Sequence, residues 1–110
     1  MTTIKVTTLI ENSCFQGKLI AEHGLSMILE SLTATILLDT GASPNFIYNA
    51  NILGFDISKV DYLVISHGHY DHTGGIRQFC EINKKATILL KENALAPKFS
   101  GERYVGVDRE

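Results

Sequence analysis

Apolar residues in this chain fall in short runs separated by glycine, proline and charged positions, and each run has its own period. From Thr3 to Ile10, "TIKVTTLI" is rich in β-branched residues with partial alternation, which predicts a strand. A loop follows from Asn12 to Gly24, with Gly17 and Gly24 as breakers. "LSMILESL" and "ATILLDT" read as two more strands, and their link near Leu32 to Ala34 is too short for a helix, so a hairpin is expected. Phe46, Ile47, Ala50 and Leu53 then recur at helical spacing, with Ser43 as a predicted N-cap, Pro44 at the first helical position and Gly54 as the stop. "DYLVISH" predicts a compact buried strand, "GGIRQFCEIN" a short helix and "KATILLKE" another strand. The tail is expected to hold a helical turn near Asn93 and a strand near Tyr104 to Val107.

The order strand, hairpin, helix, strand, helix, strand predicts an α/β arrangement: a mixed sheet with its two clear helices on one face. No internal repeat or linker divides the chain, so residues 1–110 are read as one domain. Composition adds little, with 45% hydrophobic and 20% charged residues. Charge does exclude something: a formal net charge of −2 leaves no electrostatic footprint for nucleic acid. No apolar run approaches the roughly 20 residues of a membrane span, and the N-terminus lacks a basic head and a long apolar core. A cytoplasmic location is therefore expected. Cys14 and Cys80 form no Cys-x-x-Cys pair and read as two reduced thiols.

Two stretches carry candidate chemistry. "TILLDTGAS" delivers Asp39 from an apolar run into Asp-Thr-Gly, a design used both by retroviral-type aspartic proteases and by hydrolases in which the aspartate supports a metal site. "ISHGHYDHTGG" places His67, His69, Asp71 and His72 within six residues, and these are three of the four histidines in the chain. Imidazoles and a carboxylate at two-residue spacing suit a divalent transition metal. Gly68 is expected to relieve crowding between His67 and His69, and adjacent Asp71 and His72 are expected to point to different sides. The helix signals after Asp39 and the absence of a glycine-rich flap argue against the protease.

"SHGHYDHTGG" resembles the His-x-His-x-Asp-His signature of the metallo-β-lactamase superfamily. "IEN", "AEHGLSMILE", "ILLDTGAS" and "NANILGFDISKVDYLVISHGHYDHTGG" resemble its metal-dependent hydrolase branch, which includes a dihydropterin-linked synthase of methanopterin biosynthesis. The resemblance implies the αββα fold of that family, and this chain is similar to its N-terminal half. It implies up to two divalent ions, zinc foremost with manganese or iron as alternatives. His67 and His69 would hold one ion, and Asp71 and His72 the other. A metal-bound hydroxide would be the nucleophile, with Asp71 as the catalytic residue that helps to hold it. Asp39 would orient a histidine through its free ring N–H. His23 and Tyr70 are candidate substrate contacts, against the plainer readings of a surface histidine and a packing ring.

After His72 the chain has no histidine, and Asp108 is its only later aspartate. The expected function is a metal-dependent hydrolase of a small molecule, with phosphorylated ones among the candidates, completed by a partner or by a further half. The alternatives are a catalytically silent metal-binding or assembly module, and the dihydropterin-linked synthase. A homodimer, or pairing with a complementary half, is expected to cover the apolar strands.

Overall fold

The computed structural model describes residues 3–13, 17–96, 98–100 and 103–107. Cys14 and Asp108 lie outside the described residues. A five-stranded mixed sheet is built in chain order from β1 (Lys5–Ile10), β2 (Ser26–Glu30), β3 (Thr35–Leu38), β4 (Tyr62–Val64) and β5 (Thr87–Leu89). The first three strands run as antiparallel neighbours, and β4 and β5 add in parallel. Parallel neighbours need crossovers. Helix α1 (Asn45–Leu53) supplies the first, between β3 and β4, and α3 (Ile76–Ile82) the second, between β4 and β5. A shorter helix, α2 (Tyr70–Thr73), precedes α3. Two minor strands, β6 (Phe99–Ser100) and β7 (Arg103–Tyr104), pair antiparallel in the tail.

The core lies on one face of the sheet. Ile28, Leu37 and Leu63 stand in register across β2, β3 and β4, and all three are buried. Phe46 and Ala50 from α1, Phe79 from α3 and Ile57 from a 3-10 turn at Ile57–Lys59 close over them in one cluster. Two buried asparagines fix the crossovers. The Asn49 amide donates to the carbonyls of Leu9 and Ile20 and accepts from Ile20 N–H. That of Asn83 donates to Ile57 and Val60 and accepts from the N–H groups of Lys85 and Ala86. Buried amides so satisfied cost little and lock one geometry.

Side chains alternate across a strand, so the neighbouring rows face the other way. Val6, Leu29, Ile36 and Tyr62 form one such row, and Met27, Leu38, Val64 and Leu89 the next. Val6 is 53% exposed, Tyr62 40% and Leu89 48%. The second face is thus apolar and open among the described residues.

The expected hairpin and crossover helices are present, but several details differ. Pro44 occupies the N-cap of α1 rather than its first turn. Ser43 stands one place earlier, and its Oγ still accepts from Asn45 N–H at 3.2 Å. The strand expected to be buried along its length is buried at Leu63 but open at Tyr62. A third helix appears inside the histidine segment, where the sequence suggested only a turn. No helix among the described residues is long and apolar enough to cross a membrane.

Candidate metal centre

Strands β3 and β4 are parallel, so their carboxyl ends lie side by side. Asp39 leaves β3 and Ser66 leaves β4 at that edge. Asp39 takes φ 58°, the one positive φ among described non-glycine residues, and aspartate is among the few side chains that tolerate it. Its N–H donates to Val64 O at 2.9 Å, and its carbonyl accepts from Ser26 Oγ at 2.8 Å. The Asp39 carboxylate is fully buried, and three donors satisfy it: Ser66 N–H at 2.7 Å, Ser66 Oγ–H at 2.5 Å and His72 Nδ1–H at 2.8 Å.

These contacts decide which ring nitrogens are free. The single Ser66 hydroxyl proton goes to Asp39. Ser66 Oγ therefore accepts from His67 Nδ1–H, 2.9 Å away. In His67 and His72 alike Nδ1 carries a proton, so Nε2 is the ring nitrogen left to face a metal. Partial loss of water holds His67 below the usual imidazole range. The charges of His72 and His69 push the same way, against Asp39 and Asp71. Neutral imidazole is the form that ligates a metal.

His67, His69 and Asp71 each offer a ligand atom, all within 4.8 Å of one another. The His67 ring lies 4.1 Å from that of His72 and 4.8 Å from that of His69, centroid to centroid. His72 Nε2 stands 3.8 Å from Asp71 Oδ2, so these two groups face the same space rather than opposite sides. Such a donor set fits a divalent metal: lone-pair nitrogens and a carboxylate converge, and fewer than the full complement of ligands leaves positions open. His23 Nε2 sits 3.1 Å from Asp71 Oδ2. Together with His69, Tyr70, Ser100, Arg103 and Val105, these two residues line a cleft of about 260 Å3.

The loop is clamped by backbone. Thr40 N–H and Oγ1–H both donate to His72 O, and Thr40 Oγ1 accepts from Gly75 N–H. Leu25 N–H donates to Asp71 O, and Tyr70 N–H to Val105 O. Gly68 is also needed for close packing: a Cβ there would stand 1.8 Å from Ala94 O. Gly68→Ala is expected to displace the turn at Glu92–Leu95 and to cost about 1–3 kcal/mol. Urea denaturation checks this, and an unchanged midpoint would show that the two segments part freely.

The structure brings His23, His67, His69, Tyr70, Asp71, His72 and Asp39 to one edge of the sheet. Buried against Ser66 and His72, Asp39 has no access to a water across a dimer axis, which removes the protease alternative. The side chain of Asn12, at the start of the loop, accepts from Gly24 N–H at its end, 12 residues away. Two residues escaped the sequence reading. Ser66 sits between Asp39 and His67, and its position directly after an apolar strand was the available signal. Glu22 accepts from Ala42 N–H at 3.0 Å, Ser43 Oγ–H at 2.5 Å and Asn45 Nδ2 at 3.1 Å. It thereby ties the segment before His23 to the start of α1, and no spacing pattern announces it.

Residues 20–108 match the family model of the metallo-beta-lactamase superfamily. The chain belongs to that superfamily, and its fold is that of a metal-dependent hydrolase of the group. It is 34% identical over 109 residues to an uncharacterized protein of Methanocaldococcus jannaschii, covering 96% of this chain and 41% of that one. It is 33% identical over 107 residues to the 7,8-dihydropterin-6-methyl-4-(beta-D-ribofuranosyl)-aminobenzene-5'-phosphate synthase of the same organism, covering 90% and 36%. A solved metal-dependent hydrolase of the beta-lactamase superfamily superposes with a TM-score of 0.81 at 38% identity, covering 96% of this chain and 37% of that one. The chain thus spans about two fifths of the length of these relatives and corresponds to their N-terminal part.

Proposed function

We propose that this chain is the metal-holding half of a metal-dependent hydrolase, with His67, His69, Asp71 and His72 as ligands to a divalent ion, zinc foremost. The convergence of His67, His69 and Asp71 within 4.8 Å carries the reading. Asp39 acts behind the site, fixing the His72 tautomer directly and that of His67 through Ser66. A bound divalent metal supplies Lewis acidity and lowers the pKa of water. Asp71, in contact with His23, would accept a hydrogen bond from the attacking water, and the exposed His23 ring would pass the proton to solvent. Elemental analysis of purified protein before and after chelation tests the reading. Retained zinc, manganese or iron that a chelator removes supports it; protein that keeps no metal after incubation and dialysis overturns it.

A catalytically silent metal-binding module is the second reading, supported by the convergence of His67, His69 and Asp71, which can hold an ion without turning anything over. Slow turnover of phosphodiester, lactone and thioester substrates by the isolated chain is expected on either reading. Synthase chemistry is a third reading, supported by the 33% identity to the dihydropterin synthase. The open apolar face, with Val6, Tyr62 and Leu89 exposed, supports pairing with a second copy, because one patch can be complementary to itself. Light scattering at micromolar concentration is expected to give the mass of a dimer. A monomer mass with no binding of a hydrophobic dye would exclude it.

A further inference from the structure

The short β6–β7 hairpin lies beside the histidine loop, tied to it by Tyr70 N–H donating to Val105 O at 2.7 Å. It carries Arg103 over the Tyr70 ring, with Cζ 5.0 Å from the centroid. One Arg103 N–H donates to Tyr70 Oη at 3.1 Å. No described carboxylate lies within ion-pair distance of Arg103. Ser100, across the hairpin, adds a hydroxyl to the same cleft.

A guanidinium held by a ring face and a hydroxyl has lost much of its freedom before any ligand arrives. Its remaining N–H groups form a planar fork that matches two oxygens of a carboxylate or phosphate. The cleft is about 260 Å3, smaller than the usual drug-sized pocket, and suits a head group rather than a whole ligand. Asp71 is the one carboxylate lining it among the described residues, and its Oδ2 is turned to His23 and His72. We propose that the cleft is an anion subsite: Arg103 takes the phosphate or carboxylate of a small molecule whose remainder reaches His69 and Asp71. Its place in a reaction rests on the metal-site reading, but binding of the anion does not.

Calorimetric titration of phenyl phosphate, benzoate and benzyl alcohol into metal-free and zinc-incubated protein tests this. The parent is expected to bind the anions and not the alcohol, and the tighter of the two anions identifies the group. Arg103→Met is expected to weaken anion binding about tenfold or more in both preparations, with metal content unchanged. Arg103→Lys should recover only part, because an ammonium offers no fork. Tyr70→Phe, which keeps the ring and loses the hydroxyl anchor, should give a smaller loss. Equal affinity of parent and Arg103→Met, or no anion binding by the parent, overturns the subsite. Failure to take up zinc, with the difference between parent and Arg103→Met intact, leaves the subsite standing and overturns the metal reading instead.

Discussion

Protein carrying His67→Ala and His69→Ala together is expected to lose metal affinity by more than about a thousandfold. A structural zinc in a four-ligand peptide site is worth roughly 10–16 kcal/mol, so two of four ligands should account for about 5 kcal/mol or more. Folding should scarcely change. Neither ring is part of the hydrophobic core, and substitutions outside such features usually stay within about 0.5 kcal/mol. Equilibrium dialysis against a competing chelator, with circular dichroism beside it, separates the two effects. Undiminished metal binding by a folded double variant would place the metal elsewhere.

Asp39→Ala should combine a loss of stability with a loss of metal. The substitution strands Ser66 N–H, the Ser66 hydroxyl and His72 Nδ1–H. Each unsatisfied buried donor costs about 1–3 kcal/mol. Water entering the space offsets part of this, and a total of about 3–5 kcal/mol is expected. With the tautomers no longer fixed, metal affinity should fall about 10–100-fold. Asp39→Asn is the informative companion. It keeps the volume and one acceptor oxygen, so the fold should survive, but its amide N–H2 must face a donor. Metal affinity should then fall as in the alanine variant, with a smaller change in the urea midpoint. An Asn variant with parental metal affinity would show that Asp39 holds the turn and not the ligands.

What the sequence reveals here is local in origin. The histidine segment is contiguous, so its ligands could be read without knowing the fold. Asp39 was visible because an apolar strand ends on it. Its bond to His72 spans 33 positions and became an expectation only through the family resemblance. Ser66 and Glu22 work through hydrogen bonds to groups 20 to 27 positions away, which leave no period and no composition bias. Gly68 stood out between two histidines, but the second group that excludes a side chain there, the carbonyl of Ala94, lies 26 positions later and left no local trace. Helix α2 is only four residues long, too short for a periodic signal, and Gly74 and Gly75 behind it masked its end. Arg103 gave no signal of its own, because its partner Tyr70 lies 33 positions earlier.

The loop from His67 to His72 is gripped from both directions of the chain: by Leu25 and Thr40 from before it, and by Ala94 and Val105 from after it. A ribosome delivers these grips in order. On a growing polypeptide, Asp39, Ser66 and the histidines emerge while the Glu92–Leu95 turn and the β6–β7 hairpin have yet to be made. The ligands can therefore meet their supporting carboxylate with one flank still open. If the loop holds an ion, capture on the growing polypeptide would precede the contacts that the Glu92–Leu95 turn and the β6–β7 hairpin make beside it, and the order of synthesis would then bear on how fast the site fills.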